Sequence, residues 1–444
     1  MGATSRTSRR GKSRLLEAAL LALAALLLAL GAACGGDDDE EPEGGGGGAE
    51  TTEEAAAEIE VFSWWTGGGE AAGLEKMIEI WNKEHPNTQF KNAAVAGGAG
   101  TNAKAVLAQR LSANDPPDSF QGHAGAELLD YITAGQLEPV DEIYEEAGLA
   151  DVFPEQLLDQ IRHEGQLYSV PVNIHRANVL WYSPAVLEEA GVDGAPESME
   201  DFVAALEKVK ATGKIPLALG EQWTVKHLLE TVLLAELGTD GYAALWESGA
   251  DWSGSDVTTA LERFGTILGS VNEDYASLTW QDASKLVVDG KAAFNIMGDW
   301  ANGYFTELGK EGETDYGWAP VPGTDGVYQW LSDSFTLPKG APHRAEAVEW
   351  LKLCGSLAGQ DAFNPVKGSI PARDDADESK YNEYLQSALD DWKEDELAGS
   401  LTHGVVASNA WNTEVDTALG LFLQSKDVAE FQEALVAAAE KHAA

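Results

Sequence analysis

The sequence predicts an α/β fold in two lobes, and three observations carry that expectation. At 444 residues the chain exceeds one ordinary domain and suits two lobes of roughly 150 to 200 residues each. From Glu58 onward, apolar runs of strand length alternate with segments whose apolar residues recur at helical spacing. Two extended stretches, 165–183 and 331–340, interrupt this alternation and read as crossings between lobes.

The first residues are set aside from the fold. Arg6, Arg9, Arg10, Lys12 and Arg14 precede an apolar run from Ala18 to Ala33, the charged-then-apolar order of a secretory signal. The run ends Leu30-Gly31-Ala32-Ala33-Cys34, which is similar to the lipobox of bacterial lipoproteins despite Gly31. That similarity implies lipidation of Cys34 and a protein held outside the cytoplasm at the membrane. A lone transmembrane anchor is the alternative, although the 16 uncharged residues fall short of the usual ~20. Residues 35–57 contain Gly and acid with almost nothing to bury, so they read as a solvated tether reaching roughly 25 Å.

In the folded part IEVFSWW (59–65) is a strand-length run, and 72–86 spaces Leu74, Met77, Ile78 and Trp81 as a helix that Pro86 stops. Residues 88–95 read as a strand, 102–113 as a helix and 117–123 as a third strand. This βαβαβ succession predicts a mostly parallel sheet covered by helices, with ligands met at the carboxyl ends of strands. Trp64, Trp65, Gln121 and His123 fall at such ends. After the first crossing, short strands recur at 216–222 and 291–300.

Composition narrows the function. Lys plus Arg number 29 against 74 Asp plus Glu, a net charge of −45 that repels phosphate backbones and anionic lipid. Nucleic acid is therefore excluded as a partner. Hydrophobic residues make up 44% and include 14 Trp, so the bulk of the chain must fold. Cys34 and Cys354 are the only cysteines, too few for a disulfide framework. No H-x-x-H, H-E-x-x-H or Cys pair occurs, so no metal centre is expected. The nucleophile elbow and the P-loop are also missing. Gly98-Ala99-Gly100-Thr101-Asn102-Ala103 fits G-x-G-x-x-A, but after the second strand rather than the first. It reads as a tight turn on a cleft rim, and no cofactor is expected.

Trp64 and Trp65 are neighbours on a strand, so one points to the core and the other to a cleft unless both emerge at its end. Trp280 and Trp300 lie near Asp-bearing turns, whereas Trp81, Trp246 and Trp350 sit on helical spacing and read as packing. A sugar offers an apolar C–H face to indole and a rim of hydroxyls to fixed polar groups. Trp with scattered Asp, Gln, His and Lys suits that ligand.

The stretches FSWWTGG, AVAGGAGTNAKAVLAQRL, DPPDSFQGHAG, YSVPVNIHRANVLWY, LALGEQWT, GKAAFNIMGDW, LSDSFTLPKG, FNPVKGSIPAR and GSLTHGVV follow in this order from about Glu58 to His403. Together they resemble the extracellular solute-binding proteins of bacterial ABC sugar importers, most closely the glucose-binding members. The resemblance implies a periplasmic-binding-protein-like fold with a hinge of crossing strands. Its lobes would comprise 58–170 with about 333–367, and about 174–331 with 371–444. It also implies a monomer that captures a monosaccharide by hinge closure, breaks no bond and delivers the sugar to a membrane permease. Carried over by motif, the sugar contacts are Trp64, Trp65, Gln121, His123, Trp280, Asp333, Lys367 and His403, with Asn173, His175, Trp223 and Asp299 in second rank. Two other classes stay open. A secreted glycoside hydrolase would use Asp299 and Asp333 as its carboxylate pair, and a surface carbohydrate-binding adhesin would need no enclosed small ligand.

Overall fold

The computed structural model describes residues 57–442, so the expected signal segment, Cys34 and all but the end of the expected tether lie outside the described residues. In β1 (Ala57–Phe62), Ile59, Val61 and Phe62 are buried. The chain returns through helix Gly68–Glu84, whose buried stripe contains the expected Leu74, Met77, Ile78 and Trp81. β2 (Thr88–Asn92) and β3 (Ser119–His123) then flank β1, both parallel to it, with Ile59 opposite Phe90 and Phe62 opposite Phe120. Helix Thr101–Ser112 bridges β2 and β3. A hairpin of β4 (Arg162–His163) and β5 (Gln166–Leu167) precedes the first crossing.

The crossing occurs where the sequence suggested. β6 (Ser169–Pro171) belongs to the first sheet, β7 (His175–Arg176) to a small sheet, and β8 (Val179–Tyr182) to the sheet of the other lobe. That second sheet has the order β11-β8-β10-β9, built with β9 (Ile215–Leu217), β10 (Ala292–Ile296) and β11 (Gly317–Pro320). The return path runs from β12 (Val327–Leu331) in the small sheet through Ser332 into β13 (Asp333–Thr336) in the first. A third pass lies at Ile370, whose backbone exchanges hydrogen bonds with Ile174 at 2.8 and 3.0 Å. β14 (Glu396–Gly399) completes the small sheet beside β12.

The expectation of a mostly parallel sheet is corrected. In the first sheet, ordered β2-β1-β3-β13-β6, β13 pairs antiparallel with both β3 and β6. In the second, β8 is antiparallel to β10 and β11. The physical reason is that strands passing between lobes enter or leave each sheet at the end facing the other lobe, whereas the local βαβ units all run toward that end.

Among the described residues two large apolar cores result, with a small third cluster of Ala218, Ala283, Val287 and Ala292. Trp81 and Trp350 meet edge-on at 6.2 Å in the first, and Trp246 packs on Trp252 and Trp411 in the second, as helical spacing implied. Cys354 is buried with a free thiol, which burial holds well above its usual pKa. Among the described residues no helix is long and apolar enough to cross a membrane.

Candidate functional site

The ends of β1 and β3, the start of β13 and three helix N-termini from the second lobe converge on a cavity of about 220 Å³. Trp223, Trp280 and Trp300 lie within the first two residues of helices Gln222–Ala244, Trp280–Val288 and Trp300–Glu307, and all three line it. The second of these helices begins with a capping box between Thr279 and Asp282, which fixes the entry of Trp280. From the first lobe come Trp64, Trp65 and His123, while Asp333 enters from the crossing strand and Lys367 from the end of helix Leu357–Lys367. His403 reaches the cavity from the turn after β14.

Asp333 is the electrostatic centre. It is 3% exposed and accepts hydrogen bonds from Gln121 Nε2 at 2.7 Å and Asn173 Nδ2 at 2.8 Å. His123 Nε2 stands 3.6 Å from one carboxylate oxygen and His175 Nε2 3.5 Å from the other. Burial opposes its charge, but bonding to His175 and the neighbouring His123 and Lys367 outweigh burial and hold the carboxyl far below the usual range. Asp333 is therefore an anion with several donors already aimed at it.

Each flanking histidine is backed by another carboxylate. His123 Nδ1 lies 2.8 Å from Glu127 Oε2, which also takes Lys104 Nζ at 2.7 Å. Burial raises the Glu127 pKa, yet Lys104 and His123 more than reverse this and bring it to about 2. His175 Nδ1 bonds the Asp299 carboxylate, whose other oxygen accepts the Arg176 N–H at 2.9 Å. Burial pushes His175 down, but the charge of Asp299 prevails and its pKa is raised. A row of carboxylate, imidazole, carboxylate, imidazole and carboxylate thus runs from Glu127 to Asp299 across the junction of the lobes.

Of the sequence-derived contacts, Trp64, Trp65, His123, Trp280, Asp333, Lys367 and His403 line the cavity, and so do His175 and Trp223 from the second rank. Gln121, Asn173 and Asp299 do not. Gln121 shares the face of β3 with His123, but it is covered by Asp333 and receives the Trp64 N–H on Oε1 at 3.2 Å. All three stand behind the cavity wall and position the groups that form it.

The wall also holds Glu70 and Trp300, which are not among the expected contacts although the sequence sets Trp300 beside Trp280 and apart from the packing tryptophans, together with rim residues such as Glu221 and Gln281. Lys367 Nζ donates to Glu70 Oε1 at 3.1 Å and lies 5.8 Å from the ring centres of Trp65 and Trp300. An acid in the first turn of a helix is common among 74 acids, so Glu70 carried no distinguishing signal. Trp300 could have been chosen from its place in GDW, since Gly298 is obligatory there: a Cβ would lie 2.2 Å from the indole. The glycine turn also has a packing role, with Trp64 against Gly100, where φ is +92° and a Cβ would meet the ring at 2.9 Å.

One further cluster qualifies the expectation of no metal centre. His227, Glu230 and His403, remote in sequence, place one ligand atom each within 4.8 Å of one another.

The family profile of bacterial extracellular solute-binding proteins matches residues 62–361, which run from the end of β1 through β13 and include every residue of the cavity wall but Lys367 and His403. The chain belongs to that family. It is 36% identical over 389 residues to an uncharacterised ABC transporter extracellular-binding protein of Pyrococcus horikoshii, covering 86% of this chain and 88% of that one. It is 31% identical over 390 residues to the xylose/arabinose-binding protein of Haloferax volcanii, covering 86% and 84%. The crystal structure of the bacterial solute receptor AcbH, described as having an exclusive preference for β-D-galactopyranose, superposes with a TM-score of 0.75 at 18% identity. That superposition covers 87% of this chain and 98% of the receptor, so the two share a fold.

Proposed function

We propose that the protein is the sugar-binding component of an ABC importer and takes a monosaccharide, glucose or a related hexose, into the cavity around Asp333. The observation that carries the reading is a buried, ionised carboxylate opening on a cavity of about 220 Å³ walled by indoles. That volume falls below the ~300 Å³ at which drug-sized pockets begin, so it suits one sugar ring better than a chain of them. Relatives named as sugar-binding support the ligand class.

In this reading Trp280 stacks on the ring, and Asp333 and Lys367 make charge-assisted hydrogen bonds worth about 1.5–3 kcal/mol each. Trp223 Nε1 is buried without a protein partner and supplies a further donor. Three or four such contacts, after ordering costs, suffice for micromolar binding, about −8 kcal/mol. The lobes, 58–170 with 333–367 and 174–331 with 371–444, close about the three crossings because the sugar touches both. The closed form docks on the permease, the protein acts as a monomer, and lipid on Cys34 holds it at the outer face of the membrane.

Hydrolysis is disfavoured by the same geometry. Asp299 is shielded from the cavity by His175, and Asp333 is held ionised, so neither serves as the protonated acid that cleavage requires. Titration calorimetry against a panel of hexoses and pentoses, with a reducing-sugar release assay in parallel, tests the proposal. Micromolar binding of a monosaccharide without turnover is expected, and turnover of a glycoside or silence across the panel would overturn it.

A further inference from the structure

Beside the cavity, helix Gln222–Ala244 carries His227 and Glu230 one turn apart, and the turn after β14 brings His403 to them. The three are 0%, 0% and 5% exposed. His227 Nε2 donates to the Ala177 carbonyl at 2.9 Å, which leaves the Nδ1 lone pair bare. Nδ1 has no hydrogen-bond partner: it lies 3.1 Å from Glu230 Oε1 without the alignment of an N–H···O bond. Glu230 accepts from Ser400 Oγ at 3.0 and 3.1 Å and from the Thr402 N–H at 3.0 Å, and among the described residues it pairs with no Lys or Arg.

Ser400 Oγ, whose own hydrogen goes to Glu230, lies 2.9 Å from His403 Nδ1 and accepts its N–H. Its Nε2 is left with a lone pair. A fully buried carboxylate without a cation is costly, and here it shares a small space with two imidazole lone pairs. Each of the three has a partner that orients it, as metal ligands commonly do.

We propose that His227, Glu230 and His403 form a binding site for a divalent d-block cation of the zinc class. Two imidazoles and one carboxylate are a recurrent set for that ion, with a fourth position left to solvent or ligand. Bonds of ~2.1 Å require ligand atoms about 3.4 Å apart in a tetrahedron, so the cluster tightens slightly as it binds, His403 moving on its turn. His403 lines the cavity, which supplies the route of entry, and the bound ion holds its ring in the cavity wall.

The test is Co²⁺ titration of the EDTA-treated full chain, followed by visible absorption and then by Zn²⁺ displacement. One Co²⁺ per chain with the intense bands of low coordination is expected, weakened at least 100-fold by His227→Gln and by Glu230→Gln. Weak binding at many sites with a six-coordinate spectrum, or affinity unchanged in both variants, would overturn the proposal, the ions then resting on surface acids. A wild-type crystal soaked in Zn²⁺ gives an answer that needs no variant: an anomalous peak among the three side chains supports the site, and its absence refutes it.

Discussion

Replacing Asp333 with Asn keeps the size of the side chain but removes its charge and turns one acceptor into an NH₂ donor. In the native arrangement the two oxygens face Gln121 Nε2 at 2.7 Å and Asn173 Nδ2 at 2.8 Å, with the two histidines behind them. Whichever way the new amide turns, its NH₂ meets another NH₂. Gln121 can flip to repair this only by giving up the bond its Oε1 accepts from Trp64 N. A hydrogen bond to a charged group contributes about 1.5–3 kcal/mol, and a buried donor left unpaired costs about 1–3 kcal/mol more. A stability loss of about 3–5 kcal/mol is expected, the range for breaking a buried charge pair.

The same substitution weakens sugar binding at least about tenfold, since one lost charge-assisted bond already exceeds 1.4 kcal/mol. Urea unfolding measures the first quantity and calorimetry the second, with the exposed Asp325→Asn as a control expected to stay within about 0.5 kcal/mol. A loss below about 1 kcal/mol with sugar affinity intact would refute the account of Asp333 as an anion held by converging donors.

Three further outcomes are expected. Glu127 has its pKa lowered from 4.5 to about 2, so it contributes about 3 kcal/mol of stability above pH 4.5 that is lost as pH falls toward 2; urea titrations at stepped pH should show this slope in wild type and not in Glu127→Gln. Gly100→Ala should cost more than about 1 kcal/mol from the positive φ and also displace Trp64, whereas Gly148→Ala, at φ +63° with nothing within 4 Å, carries strain alone. Thermal melts of the pair, with calorimetry, separate the two effects, and equal sugar affinity in both would argue against Trp64 as a contact. Trp300→Ala should cost about 3–5 kcal/mol of stability and most of the sugar affinity, since Trp300 packs 5.1 Å from His403 and 5.3 Å from His175; Trp246→Ala, in the second core, should cost similar stability and leave affinity unchanged.

The sequence by itself determined the alternation of strands and helices, the two crossings and most of the cavity-lining aromatics. Those features are written locally: helical spacing marks Trp81 and Trp350 as core, and a strand that ends in SWW places its indoles at its carboxyl end. Motif resemblance supplied Asp333, Lys367 and His403, which no local pattern distinguishes from other polar residues. Only the tertiary structure decided which polar groups face the cavity and which stand behind it. Gln121 and Asn173 donate to Asp333 across 212 and 160 residues of chain, and Glu70 meets Lys367 across 297. Separations of that size leave no periodicity to read. Whether such a carboxylate is an exposed acid or a buried anion depends on the donors the fold delivers to it, and so, by the same reason, does the meeting of His227 and Glu230 with His403.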